Sequence, residues 1–184
     1  FVITILIGMV LISIANLVGV LQSGTIHYAF GGWAAPVGIE WVADGLASVM
    51  TVALSLIALV CAIFLSSVLF PYLGSRIVPF YTLVLLLIAS LTGIIFAGDL
   101  FNLFVFLEVS ALCASALVGL AGWKALVACF RYLILGTFGA SLYILGVGYL
   151  YAETGTLNMA DLAQRVPPLV ASKAIAVGVL FMFI

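Results

Sequence analysis

Hydrophobic residues occur in long uninterrupted blocks that short polar breaks separate. Six such segments are visible, at residues 1–22, 45–70, 79–97, 100–120, 125–151 and 169–184. A helix needs about 20 residues to cross the hydrocarbon core of a bilayer. Backbone polar groups cannot stay unpaired in lipid, so each block is expected to be α-helical. The pattern predicts an all-α fold: one membrane domain over residues 1–184, a polytopic bundle of about six transmembrane helices.

Both ends of the chain fall inside apolar runs. The sequence opens on Phe1 without an initiator Met or a signal-peptide pattern, and it closes inside the run 177–184. The last span is therefore expected to be cut about halfway, and the chain is expected to be a fragment of a longer protein.

The breaks predict local geometry. The break at Gly98–Asp99 is so short that the third and fourth segments are expected to be adjacent and antiparallel. Asn158 and Asp161 form a capping pattern that predicts a short helix ended by Pro167–Pro168, and an ordinary polar loop is the alternative. Asp44 and Asp99 precede segments and are expected to cap them.

Composition narrows the class of protein. Hydrophobic residues make up 67% of the chain and charged residues 6%, against about 25% charged residues in soluble domains. A net charge of −1 offers no polybasic surface for nucleic acid. Cys61, Cys113 and Cys129 are far apart, so neither a metal nor another cofactor is expected. The composition indicates a protein embedded in a lipid bilayer, and no motif in the sequence supports covalent catalysis.

Loop charges predict the orientation. When loops are assigned alternately to the two sides, one side receives Arg76 and Lys124 and no acidic residue. The other side receives most of the remaining charge: His27, Glu40, Asp44, Asp99, Glu153, Asp161, Arg165 and Lys173. Basic loops stay in the cytoplasm, so the loops with Arg76 and Lys124 are expected to be cytoplasmic, in a cell inner (plasma) membrane.

Glu108 is the charged residue placed deepest in a segment. It lies about 13–18 Å from either surface by the rise of a helix, and a central charge costs at least about 2.5–3.5 kcal/mol on insertion scales. Ala111 and Ser115 share its face and leave room for another helix or for water. Two roles stay open for Glu108: a proton relay, or a neutral carboxyl that hydrogen-bonds a neighbouring helix.

The helix after Glu108 carries two basic residues. Arg131 lies about 9 Å inside this helix, and Lys124 falls on the same stripe seven residues earlier. They are expected either to line a cytoplasmic entrance of a polar pathway or to extend their charges to the interface. On another stripe, Gly136 and Ala140 are spaced for close helix packing.

Four motifs now carry a resemblance: GIEWVADGL (38–46), GDLFNLFVFLE (98–108), FRYLILGT (130–137) and GYLYAETGTLNMADL (148–162). They resemble the proton-conducting antiporter-like subunits of Mrp-type Na⁺/H⁺ antiporters, respiratory complex I and membrane-bound hydrogenases. Within that family, the motif sequences are most similar to those of the D-type Mrp subunits. The resemblance implies a fold of about fourteen helices with two inverted repeats. It matches Glu108 to the family's carboxylate and Arg131 to a basic position, and it implies a central lysine just beyond Ile184.

Three functions follow as hypotheses. The first is a cation/proton antiporter subunit that moves protons, in one version exchanged for Na⁺, through a half-channel containing Glu108, together with other membrane subunits. The second is a proton-pumping subunit of a complex I-like NADH:quinone oxidoreductase or a membrane-bound hydrogenase, where distant redox chemistry drives transport. The third is a non-conducting scaffold.

Overall fold

The computed structural model describes residues 1–68 and 74–183, apart from the side chain of Ser75. The described chain consists mainly of α-helices, in the order α1 (Val2–Ser23), α2 (Gly45–Val68), α3 (Ile77–Phe96), α4 (Leu100–Gly119), α5 (Trp123–Thr154), α6 (Met159–Arg165) and α7 (Lys173–Phe183). Helices α1 to α5 are long and apolar enough to cross a membrane, and α7 is a shorter apolar helix. The predicted polytopic helical bundle is confirmed.

Three helix starts differ from the predicted bounds by two residues or more, and one of them is α5, which begins at Trp123 rather than at residue 125. Helix α3 begins at Ile77, two residues before Pro79. Proline has no backbone N–H, but N–H groups in a first turn have no helical partner, so Pro79 fits there. Helix α7 begins at Lys173 rather than at residue 169, because Pro167–Leu169 form a separate 3-10 turn. The predicted end of the second segment at residue 70 and the last residue, 184, lie outside the described residues.

A β-hairpin occupies the loop between α1 and α2, where the sequence pattern predicted only a polar break. Strand β1 (Ile26–Ala29) pairs antiparallel with β2 (Glu40–Ala43). Trp41 also forms a backbone bridge with Ala97, directly after α3. The hairpin therefore lies against the end of the helical bundle.

Helices that are neighbours in sequence pack together: α1 on α2, α2 on α3, α3 on α4, α4 on α5, and α5 on α7. The predicted adjacency of the third and fourth segments is thus confirmed. Gly93 permits close approach there, because a Cβ atom added to it would lie 2.5 Å from the ring of Phe106. Small residues at such crossings are typical of membrane helix bundles, where packing and hydrogen bonds replace the hydrophobic effect.

Polar side chains join α1 to α2 inside the bundle. The Asn16 amide of α1 donates a hydrogen bond to the Ser48 hydroxyl of α2 at 3.1 Å. One turn away on α1 and two turns away on α2, the buried Ser13 and Ser55 hydroxyls lie 2.9 Å apart. These paired groups avoid the cost of unsatisfied polar atoms in an apolar surrounding.

Loops gather at the two ends of the bundle. At one end, called here the hairpin end, the Gly98 N–H donates to the Glu40 carbonyl at 3.0 Å and the Met159 N–H donates to the Gly98 carbonyl at 2.9 Å. At the other, called here the Arg76 end, the Arg76 guanidinium donates to the Leu120 carbonyl at 3.0 Å. A cation at the C-terminus of α4 also complements the helix dipole.

Candidate functional site

Asp99 fixes where the helix of Glu108 begins. Its backbone is extended, and its Oδ1 accepts hydrogen bonds from the N–H groups of Phe101 at 2.9 Å and Asn102 at 3.0 Å. The expected cap at Asp99 is confirmed, as is the cap at Asp44, which accepts from the Ala47 N–H at 2.7 Å. Each carboxylate satisfies N–H groups that a helix N-terminus would otherwise leave unpaired.

From this start, α4 carries Glu108 towards the middle of the bundle. Glu108 lies eight residues after Leu100 and eleven before Gly119, or about 12 Å and about 17 Å along the helix axis. Its side chain is half-buried. This position matches the central depth that residue counting predicted.

Glu108 opens onto a cleft between three helices, called here the Glu108 cleft. The cleft has a volume of about 500 Å³ and is walled by Leu87 and Leu91 of α3, by the α4 face around Glu108, and by α5. The α5 wall contains Tyr132, Gly136, Gly139, Ala140 and Tyr143. The three glycine and alanine residues leave the space that makes the cleft, because they carry little or no side chain.

The carboxylate of Glu108 has neither an ion-pair nor a hydrogen-bond partner within residues 1–68 and 74–183. The Ser110 hydroxyl, also in the cleft wall, donates back to the Leu107 carbonyl of its own helix at 2.8 Å. The cleft therefore contains an acidic group with room around it and no fixed partner among the described residues. Such a group can exchange a proton with water or with a residue brought to it.

The predicted basic residues lie elsewhere on α5. Lys124 and Arg131 are both exposed, and among the described residues neither belongs to the lining of the Glu108 cleft. Lys124 lies in the first turn of α5, at the Arg76 end. Their place on a proton pathway stays a prediction.

The residues predicted to pack helices fall into two groups. Ala111, Gly136 and Ala140 line the Glu108 cleft, and a Cβ atom added to Gly136 would meet nothing within 4 Å. Ser115 is buried against α5, where its carbonyl accepts from the Cys129 thiol at 3.0 Å. Ser115 therefore contacts the neighbouring helix, and the packing role of the other three residues stays a prediction.

Sequence reasoning missed Tyr143. Its ring stacks on Phe104 with centroids 6.1 Å apart and ring planes 7° apart, and its hydroxyl donates to the Leu100 carbonyl at 3.4 Å. A tyrosine in an apolar segment gives no signal of its own, but its spacing of seven residues from Gly136 could have placed it on the same stripe of α5 as Gly136 and Ala140.

A second polar group was also missed, at the hairpin end. Glu40 accepts from Asn158 at 2.9 Å through Oε2 and lies 2.9 Å from the His27 ring through Oε1. Asn158 also caps α6, since its side chain accepts from the Asp161 N–H at 3.1 Å. Asp161 then pairs with Arg165 at 3.0 Å. The predicted short helix is present and ends at Arg165, before the two prolines.

Known proteins with similar sequences indicate the family in which this arrangement of helices occurs. The profile of the family described as "NADH:quinone oxidoreductase/Mrp antiporter, TM" matches residues 97–184, which include α4, α5 and Glu108. The N subunit of the NADH-quinone oxidoreductase of Desulforudis audaxviator is 46% identical over 159 residues, which are 84% of this chain and 31% of that protein. The D subunit of the Na⁺/H⁺ antiporter of Alkalihalophilus pseudofirmus is 40% identical over 87% of this chain and 32% of that protein.

The fold agrees with these sequence matches. A chain in the membrane-bound sulfane sulfur reductase, an archaeal respiratory membrane complex, superposes with a TM-score of 0.90 and 32% identity, over 99% of this chain and 37% of that one. The described helices define a multi-pass membrane protein of antiporter-like architecture. The chain belongs to the family of membrane subunits shared by Mrp antiporters and complex I, and spans about a third of the length of these relatives.

Proposed function

We propose that this chain contributes to a proton-conducting membrane subunit of a multi-subunit cation/proton antiporter. Glu108 is proposed to be the residue of a half-channel that takes up the proton and releases it again. The observation that carries the proposal is a carboxylate near the middle of α4 that opens onto a cleft of about 500 Å³. A charge at that depth is costly unless it gains water, a partner or a proton. A residue that can take any of the three is suited to pass a proton on.

The route to Glu108 is proposed to start at the Arg76 end. Lys124 and Arg131 lie on the part of α5 that runs from that end towards Gly136 in the cleft wall. Their positive charges would lower the cost of a carboxylate nearby. The next proton acceptor is proposed to come from a part of the protein outside residues 1–184.

The coupled cation is proposed to be Na⁺. The relative from Alkalihalophilus pseudofirmus is named as a subunit of a Na⁺/H⁺ antiporter. Other membrane subunits are proposed as partners, because the structurally similar chain comes from a respiratory membrane complex.

A proton-pumping subunit of a redox-driven complex is the second candidate. The observation that supports it is the NADH-quinone oxidoreductase relative, which is 46% identical, as the antiporter relative at 40% supports the first candidate. Transport measurements in vesicles that contain the whole complex distinguish the two candidate functions. An imposed Na⁺ gradient drives proton movement in the antiporter, whereas the redox complex moves protons only when a reductant and a quinone react.

The orientation proposed is a plasma membrane with the Arg76 end in the cytoplasm, because Arg76 and Lys124 are exposed there. Single cysteines at Lys124 and at Tyr28 of the hairpin, in a cysteine-free full-length protein, test it. A membrane-impermeant maleimide added to intact cells should label the Tyr28→Cys variant and spare the Lys124→Cys variant. The reverse pattern would overturn the orientation.

Infrared difference spectroscopy tests the role of Glu108 directly. Spectra of the full complex in lipid, recorded before and during turnover under an imposed gradient, should show a carboxyl C=O band that changes intensity. The band should be missing from the Glu108→Gln variant and retained in Glu153→Gln, which removes an exposed carboxylate at the end of α5. A spectrum that is unchanged in Glu108→Gln would favour the scaffold function instead.

A further inference from the structure

A second cleft lies at the hairpin end, on the same side of α4 as the Glu108 cleft. This outer cleft has a volume of about 340 Å³. One side is lined by residues 36–39 of the hairpin loop, and the rest by Asp99, by Phe101 of α4, by Tyr151 of α5 and by residues 155 and 157, which follow α5. Asp99 brings a carboxylate to this cleft. Two clefts with acidic residues therefore follow one another along α4.

Three neighbouring aromatic rings take part in lining the two clefts. Phe101 lines the outer cleft, whereas Phe104 and Tyr143 line the Glu108 cleft. The rings form a continuous series, with centroids 6.2 Å apart for Phe101 and Phe104 and 6.1 Å apart for Phe104 and Tyr143. The series, called here the aromatic wall, connects the lining of the outer cleft to the lining of the Glu108 cleft.

Helical geometry explains why the wall covers this part of α4. Leu100, Phe104 and Glu108 follow one another at intervals of four residues and share one stripe of the helix. The Tyr143 ring lies over Phe104, and its hydroxyl reaches the Leu100 carbonyl at 3.4 Å. Tyr143 thus lies along the stripe from the level of Phe104 to the first turn of α4, which is the path from Glu108 towards the hairpin end.

We propose that the aromatic wall is a seal that keeps a proton held at Glu108 from passing directly to the hairpin end. Closely packed aromatic rings offer few hydrogen-bonding groups to water, and apolar constrictions block ions by excluding water. A carrier that exchanges protons needs such a barrier, since an open path would dissipate the gradient. The inference rests on the proposed function of Glu108, but the wall itself is defined by the two clefts and three rings.

Proton leak through the full complex in liposomes tests the seal. Tyr143→Ala removes the ring and should raise the passive proton leak several-fold, measured with a pH-sensitive dye trapped inside. Tyr143→Phe keeps the ring and loses only the hydroxyl, so its leak should stay at the level of the unchanged protein. Tyr149→Ala is the matched control, because Tyr149 lies on the same helix and stacks on Phe181, away from both clefts.

Water accessibility gives a readout that does not depend on transport. Ser110 lines the Glu108 cleft, so Ser110→Cys in a cysteine-free background reports whether a membrane-impermeant thiol reagent reaches that cleft from the hairpin end. Labelling is expected only when Tyr143→Ala is also present. Labelling with Tyr143 intact would overturn the seal, as would equal leak and labelling in Tyr143→Ala and Tyr149→Ala.

The two proposals fail in different ways. If Glu108 is not a relay, Glu108→Gln leaves driven transport intact, while the effect of Tyr143→Ala on Ser110→Cys labelling persists. If the seal is wrong, Glu108→Gln still stops transport and Tyr143→Ala changes neither leak nor labelling.

Discussion

Replacing Glu108 by glutamine is expected to reduce gradient-driven proton transport by the full complex about 100-fold, the scale of losing a positioned proton-transfer group. Glutamine has nearly the same size and can still form hydrogen bonds in the cleft, but it cannot take up and release a proton. The cleft has open space around the side chain, so the substitution should cost little stability. Dye-reported proton transport in vesicles measures the effect, with protein amount checked in each preparation.

Two further variants make the comparison specific. Glu108→Asp keeps the acidic group and shortens its reach by one methylene, so it should retain part of the activity. Glu153→Gln removes a carboxylate that is exposed at the hairpin end of α5 and should leave transport near the level of the unchanged protein. Equal transport by Glu108→Gln and Glu153→Gln would exclude a relay role for Glu108.

Glu108 could be found from sequence because the physics of the bilayer makes it conspicuous. A lone carboxylate in an apolar span is expensive, and its depth follows from counting residues at the helical rise. The same counting assigns the loops alternately to the two ends of the bundle, since each span must cross the membrane, and which end is cytoplasmic stays a prediction. Arg76 with Leu120 at one end and Glu40 with Asn158 at the other show that division in the structure.

Features that depend on contacts between distant segments could not be found this way. Glu40 and Asn158 are 118 residues apart in sequence, and neither residue type identifies its partner. The aromatic wall joins Phe104 to Tyr143 of the next helix, and aromatic residues make up 12% of the chain, too many to single out one. The hairpin was missed because four-residue strands leave only a short pattern.

The close approach of two described helix backbones lies at a glycine that the sequence pattern did not single out, and the packing role of Gly136 and Ala140 stays a prediction. Residue spacing pointed to Gly136 and Ala140 as the position of close packing, yet the space beside Gly136 is open among the described residues. The tight crossing lies ten residues further along α5, at Gly146, against Gly178 of α7. Spacing identifies which glycines share a face of α5, but the position of α7 decides which of them is in contact.

This crossing carries the largest expected effect on stability. A Cβ atom added to Gly146 would collide with the Gly178 carbonyl oxygen and lie 2.8 Å from the Met182 side chain. A Cβ atom on Gly178 would lie 2.9 Å from the Gly146 carbonyl oxygen. Because backbone atoms cannot rotate away as a flexible side chain can, the helices would have to separate. Gly146→Val should therefore destabilise the protein by about 1–3 kcal/mol or more, the usual cost of overpacking a tight contact.

Gly148→Val is the matched control, since it makes the same change two residues later on α5, where an added Cβ atom meets nothing within 4 Å. Both variants replace a helical glycine by valine, so their effects on helix propensity are alike, and the difference between them isolates the crossing. Thermal unfolding of the full-length protein in detergent should give a lower unfolding temperature for Gly146→Val alone. Size-exclusion chromatography should show a smaller monodisperse fraction for the same variant. Equal midpoints for the two variants would mean that α7 can move away from α5 without loss, and that the helices are not held together at Gly146 and Gly178.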